Sequence, residues 1–122
     1  MKRMKALTAQ RRKLKVVVDQ VSSPTSARDL ADALCRIIES RQTDKTGVYH
    51  YADEGVCSRY DFACAVRDLA GNTCDLIPCR SSEYPSAATR PHYSVLDKTL
   101  FKSTFGIGIP HWHASLKGYF AS

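Results

Sequence analysis

The chain has 122 residues and a mass of 13.6 kDa, the size of one domain, with 43% hydrophobic and 25% charged residues. That balance excludes disordered, collagen-like and low-complexity classes, and no apolar run approaches the roughly 18 residues of a membrane helix. The net charge of +6 is concentrated at one end: residues 1–15 hold seven Lys or Arg and no acid, and the rest is nearly neutral. With a balanced body and neither a helix-turn-helix nor an RNA-recognition signature, no nucleic-acid partner is expected. The start, Met1-Lys2-Arg3-Met4-Lys5, lacks the apolar stretch of a secretory signal, so a soluble cytoplasmic protein is expected.

Residues 1–13 read as a helix without Gly or Pro, with Met4, Leu7 and Leu14 as a thin apolar stripe and no N-cap. Lys15 to Asp19 (KVVVD) is a β-branched run with the pattern of a buried strand. After the turn at residues 22–25, Ser26 and Asp29 form an S-x-x-D capping box. The helix that follows carries Leu30, Leu34, Ile37 and Ile38 on one face and is expected to end near Gln42. Gly47 to Tyr51 (GVYHY) predicts the next strand. A second S-x-x-D box, Ser58 and Asp61, opens a helix with Phe62, Val66, Leu69 and Ala70 inward, stopped by Gly71-Asn72. Cys74 to Cys79 is a short strand whose Pro78 suits an edge or a terminus. Residues 80–93 form a loop too long for a plain connection. A short helix from Asp97 to Phe105 stops at Gly106, and a last helix starts near Pro110. Strands alternating with amphipathic helices predict an α/β fold in a single domain over residues 1–122.

Motifs that would fix a chemistry are few. The five cysteines are odd in number and predict reduced thiols, with Cys35 and Cys64 as small core residues. Cys74-x4-Cys79 and His111-x-His113 are poor zinc spacings, so no metal site is expected. Gly106-x-Gly108 lacks a third glycine and follows a helix, unlike a dinucleotide fingerprint. His50 reads as a packed or half-exposed strand residue rather than a base. Arg90 stands before Pro91 with a restricted backbone, and its planar fork suits either a phosphate or an ion pair that fastens the loop. Tyr84, before Pro85, suits either stacking on a ligand or packing the loop.

Five stretches, in order, resemble one family. Asp19-Gln20-Val21-Ser22-Ser23-Pro24-Thr25-Ser26-Ala27-Arg28-Asp29-Leu30-Ala31 resembles the D-Q-x-G-S-P-T-x-A-x-D-L-A segment of dTDP-4-dehydrorhamnose reductases. Gly47 to Tyr51 resembles their G-I-Y-H-Y, and Ser58 to Ala63 their S-W-Y-E/D-F-A. Glu83-Tyr84-Pro85 with Ala88-Thr89-Arg90-Pro91 and Ser94-Val95-Leu96-Asp97 resembles E-Y-P-x-P-A-x-R-P-x-x-S-x-L-D. Residues 105–112 resemble the closing helix. The departures are Ser22 for a Gly, which would be strained at positive φ, Arg59 for a Trp, and His113 for an Arg.

The resemblance implies the C-terminal, substrate-binding part of an extended short-chain dehydrogenase, without the N-terminal Rossmann part. It implies a dTDP-sugar substrate, contacted by Arg90, Tyr84 and Pro91, with Arg90 toward the diphosphate. The family uses NADPH, with Mg as a candidate companion. Its Tyr-x-x-x-Lys pair has no counterpart among the six tyrosines here, so no cofactor bound by this chain and no activity of the chain alone are expected. The basic start then reads as a cut helix with a solvated face. A missing partner domain would leave an apolar face exposed, and with it a self-associating chain or one awaiting a Rossmann partner. The second reading is a non-catalytic relative, like the regulatory β subunit of methionine adenosyltransferase.

Overall fold

A computed structural model describes residues 1–84 and 86–121. Among them the order is α1 (Lys2–Gln10), β1 (Lys13–Val17), β2 (Val21–Ser22), α2 (Ala27–Glu39), β3 (Cys57–Ser58), α3 (Arg59–Leu69), β4 (Asp75–Cys79), α4 (Thr99–Phe105) and α5 (Trp112–Ala121). The α/β class is as expected, but the sheets are small. β1 pairs in parallel with β4, from Lys13 opposite Asp75 to Val17 opposite Cys79, and β2 pairs antiparallel with β3. β1 starts two residues before the expected strand, and Asp19 already belongs to the turn beyond it.

Three apolar clusters hold these elements. Val16 and Leu76 of the parallel pair meet Ala63 of α3, which is fully buried. The next turn of α3 brings Val66, also fully buried, against Trp112 and Leu116 of α5. Met4 of α1 packs on both clusters. The third cluster lies apart: Ala33 of α2 packs with Phe101 and Phe105 of α4 and with Ile107.

The segment 47–51 corrects one expectation. It joins no ladder. Its alternation comes from packing instead: Tyr49 meets Phe105 edge-on at 4.8 Å, Tyr51 meets Phe101 at 5.2 Å, and His50 between them is exposed. Period two reports which side chains point inward, and a strand is only one backbone that does so.

Both capping signals find their helices, with different outcomes. At α3 the box is reciprocal: Ser58 Oγ accepts from Asp61 N–H at 3.0 Å, and Asp61 Oδ2 accepts from Ser58 N–H at 2.9 Å. At α2, Ser26 Oγ accepts from Asp29 N–H at 3.3 Å, but the Ser26 N–H donates to Asp53 Oδ2 at 2.9 Å. Asp53 has thus displaced Asp29 from its half of the box. It is 1% exposed, and its Oδ1 meets no donor in bonding geometry. Burial raises its pKa above the usual carboxylate range. Beside it, buried Lys98 donates from Nζ to the Asp53 carbonyl at 3.1 Å and to Glu54 Oε2 at 3.0 Å.

α2 and α3 end in the same motif on different residues. After α3, Gly71 takes φ 67°, and Asn72 N–H donates back to Arg67 O. After α2, Arg41 takes φ 54°, and Gln42 N–H donates to Ile37 O. Arg41 is the only non-glycine with positive φ among the described residues, so Ser22 carries no such strain; it pairs with Cys57 instead. Two further expectations fail on α2. Cys35 is exposed rather than core, and the apolar face is only half covered: Ile37 is packed, while Leu34 and Ile38 are 51% and 64% exposed.

Candidate anion-binding cleft

Ligands of open parallel sheets gather beyond the carboxyl ends of the strands. Here both β1 and β4 discharge into one polar junction at that end. The Asp19 carboxylate accepts from Ser81 N–H at 2.9 and 3.0 Å and from Ser81 Oγ at 2.7 Å. These bonds hold its pKa below the ordinary value. The Asp19 carbonyl accepts from His92 Nδ1 at 2.8 Å. Gln20 donates from its amide to Ser81 Oγ at 2.9 Å, and its carbonyl accepts the Arg59 N–H at 3.2 Å. Val21 donates its N–H to His92 O at 2.8 Å and accepts from Ser94 N–H at 3.0 Å. Three consecutive residues thus fasten the start of the 80–93 loop, its end, and the first turn of α3.

A cleft of about 870 Å³ opens beside this junction. Its apolar surface includes Met4 and Leu7 of α1 and Phe62 of α3. Arg3, Lys15, Arg59 and Arg90 add four cations, and no Asp or Glu lines it. None of these four forms an ion pair among the described residues. The loop is therefore fastened through Asp19, and Arg90 does not supply the fastening ion pair that its sequence context allowed.

Of the residues expected at a site, Arg90 and Tyr84 line the cleft, Tyr84 half-exposed. Pro91 is exposed and does not line it. Pro85, within the expected loop, lies outside the described residues. Arg3 and Lys15 modify the reading of the basic start, because two of its seven cations line the cleft rather than only facing solvent. Sequence reasoning gives no site role to Arg59, Asp19 or Ser81. Pairs such as Asp19 and Ser81, 62 positions apart, leave no local pattern.

The residues do not fit a dinucleotide cofactor. No glycine lines the cleft, and none of the six stands between a strand and the helix that follows it, where a phosphate loop requires them. Among the described residues, no group of three or more His, Cys, Asp or Glu side chains is placed to hold a metal ion. No described helix is long and apolar enough to cross a membrane.

Comparison with known proteins gives this geometry its setting. The model of the RmlD substrate binding domain family matches residues 1–122. The dTDP-4-dehydrorhamnose reductase of Aggregatibacter actinomycetemcomitans is 37% identical over 125 residues, which covers 95% of this chain and 42% of that protein. The crystal structure of a Clostridium acetobutylicum dTDP-4-dehydrorhamnose reductase superposes with a TM-score of 0.88 at 38% identity, over 98% of this chain and 42% of that one. The enzyme from Bacillus anthracis, solved in complex with NADP, gives a TM-score of 0.90 at 30% identity, with the same two coverages, 98% and 42%. The chain thus spans about two fifths of the length of these relatives. Matched from its first residue to its last, it belongs to the RmlD substrate binding domain family.

Proposed function

We propose that residues 1–122 are one substrate-binding unit of a dTDP-4-dehydrorhamnose reductase, and that its cleft holds the nucleotide-sugar whose 4-keto group the enzyme reduces with NADPH. The observation that carries this reading is the cleft itself: four unpaired cations and no carboxylate, in a chain of this family. A guanidinium offers parallel N–H donors to two phosphate oxygens, and Arg90 takes that role. The Tyr84 ring and the apolar wall at Met4, Leu7 and Phe62 suit the flat base and the sugar. Pro91 contributes by fixing the backbone of Arg90 rather than by contact.

The same reading assigns binding, not reduction, to these residues. No tyrosine is followed four residues later by lysine, so the proton donor of the family is not among them. A part carrying that pair and the nicotinamide, on this chain's continuation or on a partner, completes the enzyme. Its place of action in this reading is the cytoplasm.

A thermal melt of the chain with and without dTDP-L-rhamnose tests the reading. Binding to the folded chain raises the midpoint, and raises it further with the logarithm of free ligand above the dissociation constant. Arg90→Ala is expected to keep the unliganded melt and to weaken binding roughly tenfold or more, the usual scale for a charged hydrogen-bond partner. Unchanged affinity would remove Arg90 from the site, and no shift in the parent chain would remove the site.

A further inference from the structure

We infer that Arg59 is a second ligand of the diphosphate, and that it makes the cleft select a nucleoside diphosphate over a monophosphate. This rests on the proposed nucleotide-sugar site and adds a residue that the resemblance does not supply, since the related pattern has Trp where Arg59 stands.

Arg59 lines the cleft, is exposed, and forms no ion pair among the described residues. It is also the first residue of α3. A cation at a helix N-terminus faces the positive end of the helix dipole, so that position favours an acid. The acid nearby is Asp61, and its Oδ2 is engaged by Ser58 N–H at 2.9 Å and Ser58 Oγ at 2.7 Å. The start of α3 is itself capped by Asp61, so the positive charge offered to the cleft is that of the Arg59 side chain, and no protein carboxylate lines the cleft in return. An anion bound in the cleft meets it.

The backbone ties the elements that carry Arg59 and Arg90 to one turn. Gln20 accepts the Arg59 N–H through its carbonyl and holds Ser81 through its amide. Its neighbour Asp19 holds Ser81 and His92, on either side of Arg90 in sequence. The two arginines are thus carried by elements pinned to the same two residues, at the end of the same strand. One phosphate engages one bidentate guanidinium fully, so a second guanidinium lining the same cleft gains most from a second phosphate.

The test is calorimetric titration of the 122-residue chain with dTDP and with dTMP, at one fixed ionic strength because phosphate contacts are salt-dependent. The parent is expected to bind dTDP more tightly than dTMP. Arg59→Ala should lose about tenfold for dTDP and little for dTMP, with its melt unchanged. Arg59→Gln, which keeps much of the side chain's length, should behave alike, and Arg59→Lys should recover part of the loss. If Arg59→Ala binds dTDP as the parent does while Arg90→Ala does not, the inference falls and the proposed function stands. Equal losses for dTDP and dTMP also overturn it, because damage to the cleft weakens both. A parent chain that binds neither nucleotide overturns the inference and the proposed function together.

Discussion

The two ends of this molecule are held together by different physics. Around the parallel strands, the chain is organised by hydrogen bonds to consecutive residues, Asp19, Gln20 and Val21, and the four cations of the cleft form no ion pair among the described residues. Around α2 and α4, order comes from rings: Phe101 and Phe105 lie 5.3 Å apart, with Tyr49 and Tyr51 set edge-on against them. Here two lysines are tied into the packing, since Lys98 and Lys102 grip the two oxygens of Glu54 at 3.0 and 2.8 Å. The contrast separates charge that serves the fold from charge kept for something else. A paired lysine in the aromatic region is structural, whereas an unpaired arginine in a cleft without acids is available to a ligand.

The strongest way to break this contrast is to remove a ring. Phe101 is 4% exposed and touches both Tyr51 and Phe105. Phe101→Ala is expected to cost about 3–5 kcal/mol, through lost burial and an unfilled cavity. Urea denaturation of both proteins measures it. Nucleotide affinity measured well below the new midpoint should stay at the parent value, because no aromatic of this cluster lines the cleft. A weakened affinity would show that the two regions act as one.

A smaller effect sits between the regions, at Asp53. Its pKa is raised chiefly by burial, with Asp29 adding to the rise and Ser26 N–H and Lys98 opposing it. A raised carboxylate pKa means that the folded chain keeps a proton that the unfolded chain has released. Stability from this group is therefore full below about pH 4 and falls as pH rises through the raised value. Glu54, lowered chiefly by Lys102 and then Lys98, and Asp19, lowered by Ser81, run the other way and lose stability only as pH falls below the ordinary carboxylate range. Asp53→Asn keeps an acceptor for Ser26 N–H and removes the charge. The variant should match the parent near pH 4 and exceed it increasingly as pH rises toward 7. Melts across that range decide it: a difference that does not grow with pH would mean Asp53 ionises in the fold without cost.

How much of this is legible in the sequence follows from the range of each interaction. Ser58 and Asp61 are three residues apart, and that local box can be read off the chain together with its helix. Ser26 and Asp29 have the same spacing, yet a carboxylate 27 residues away takes half of the box, which no window on the sequence reveals. The alternation at Tyr49 and Tyr51 locates core side chains but not the backbone, because rings can be buried against helices as well as across a ladder. For the cleft, Arg90 and Tyr84 stand out through their proline context and the family resemblance. Arg59, Arg3 and Lys15 are hidden because each looks like an ordinary surface cation until the fold sets them around one space.

The smallest expected effect tests the apolar face of α2. Ile37 packs against the aromatic cluster while the next residue, Ile38, is 64% exposed, and Leu34 one turn earlier is 51% exposed. Exposed leucine and isoleucine add little to the stability of a single chain, because the unfolded state exposes them too. Ile38→Lys should therefore move the melt by no more than about 0.5 kcal/mol at low concentration. Association is a different matter, since Leu34, Ile38, Val48 and Leu100 are all large and half or more exposed. If this surface drives the chain to meet itself, sedimentation at rising concentration should show oligomers for the parent and fewer for Ile38→Lys. Equal sedimentation of the two would mean that the face is tolerated by the monomer. A large loss of stability would mean that Ile38 is packed after all, and that the aromatic region extends one residue further around α2 than its contacts indicate.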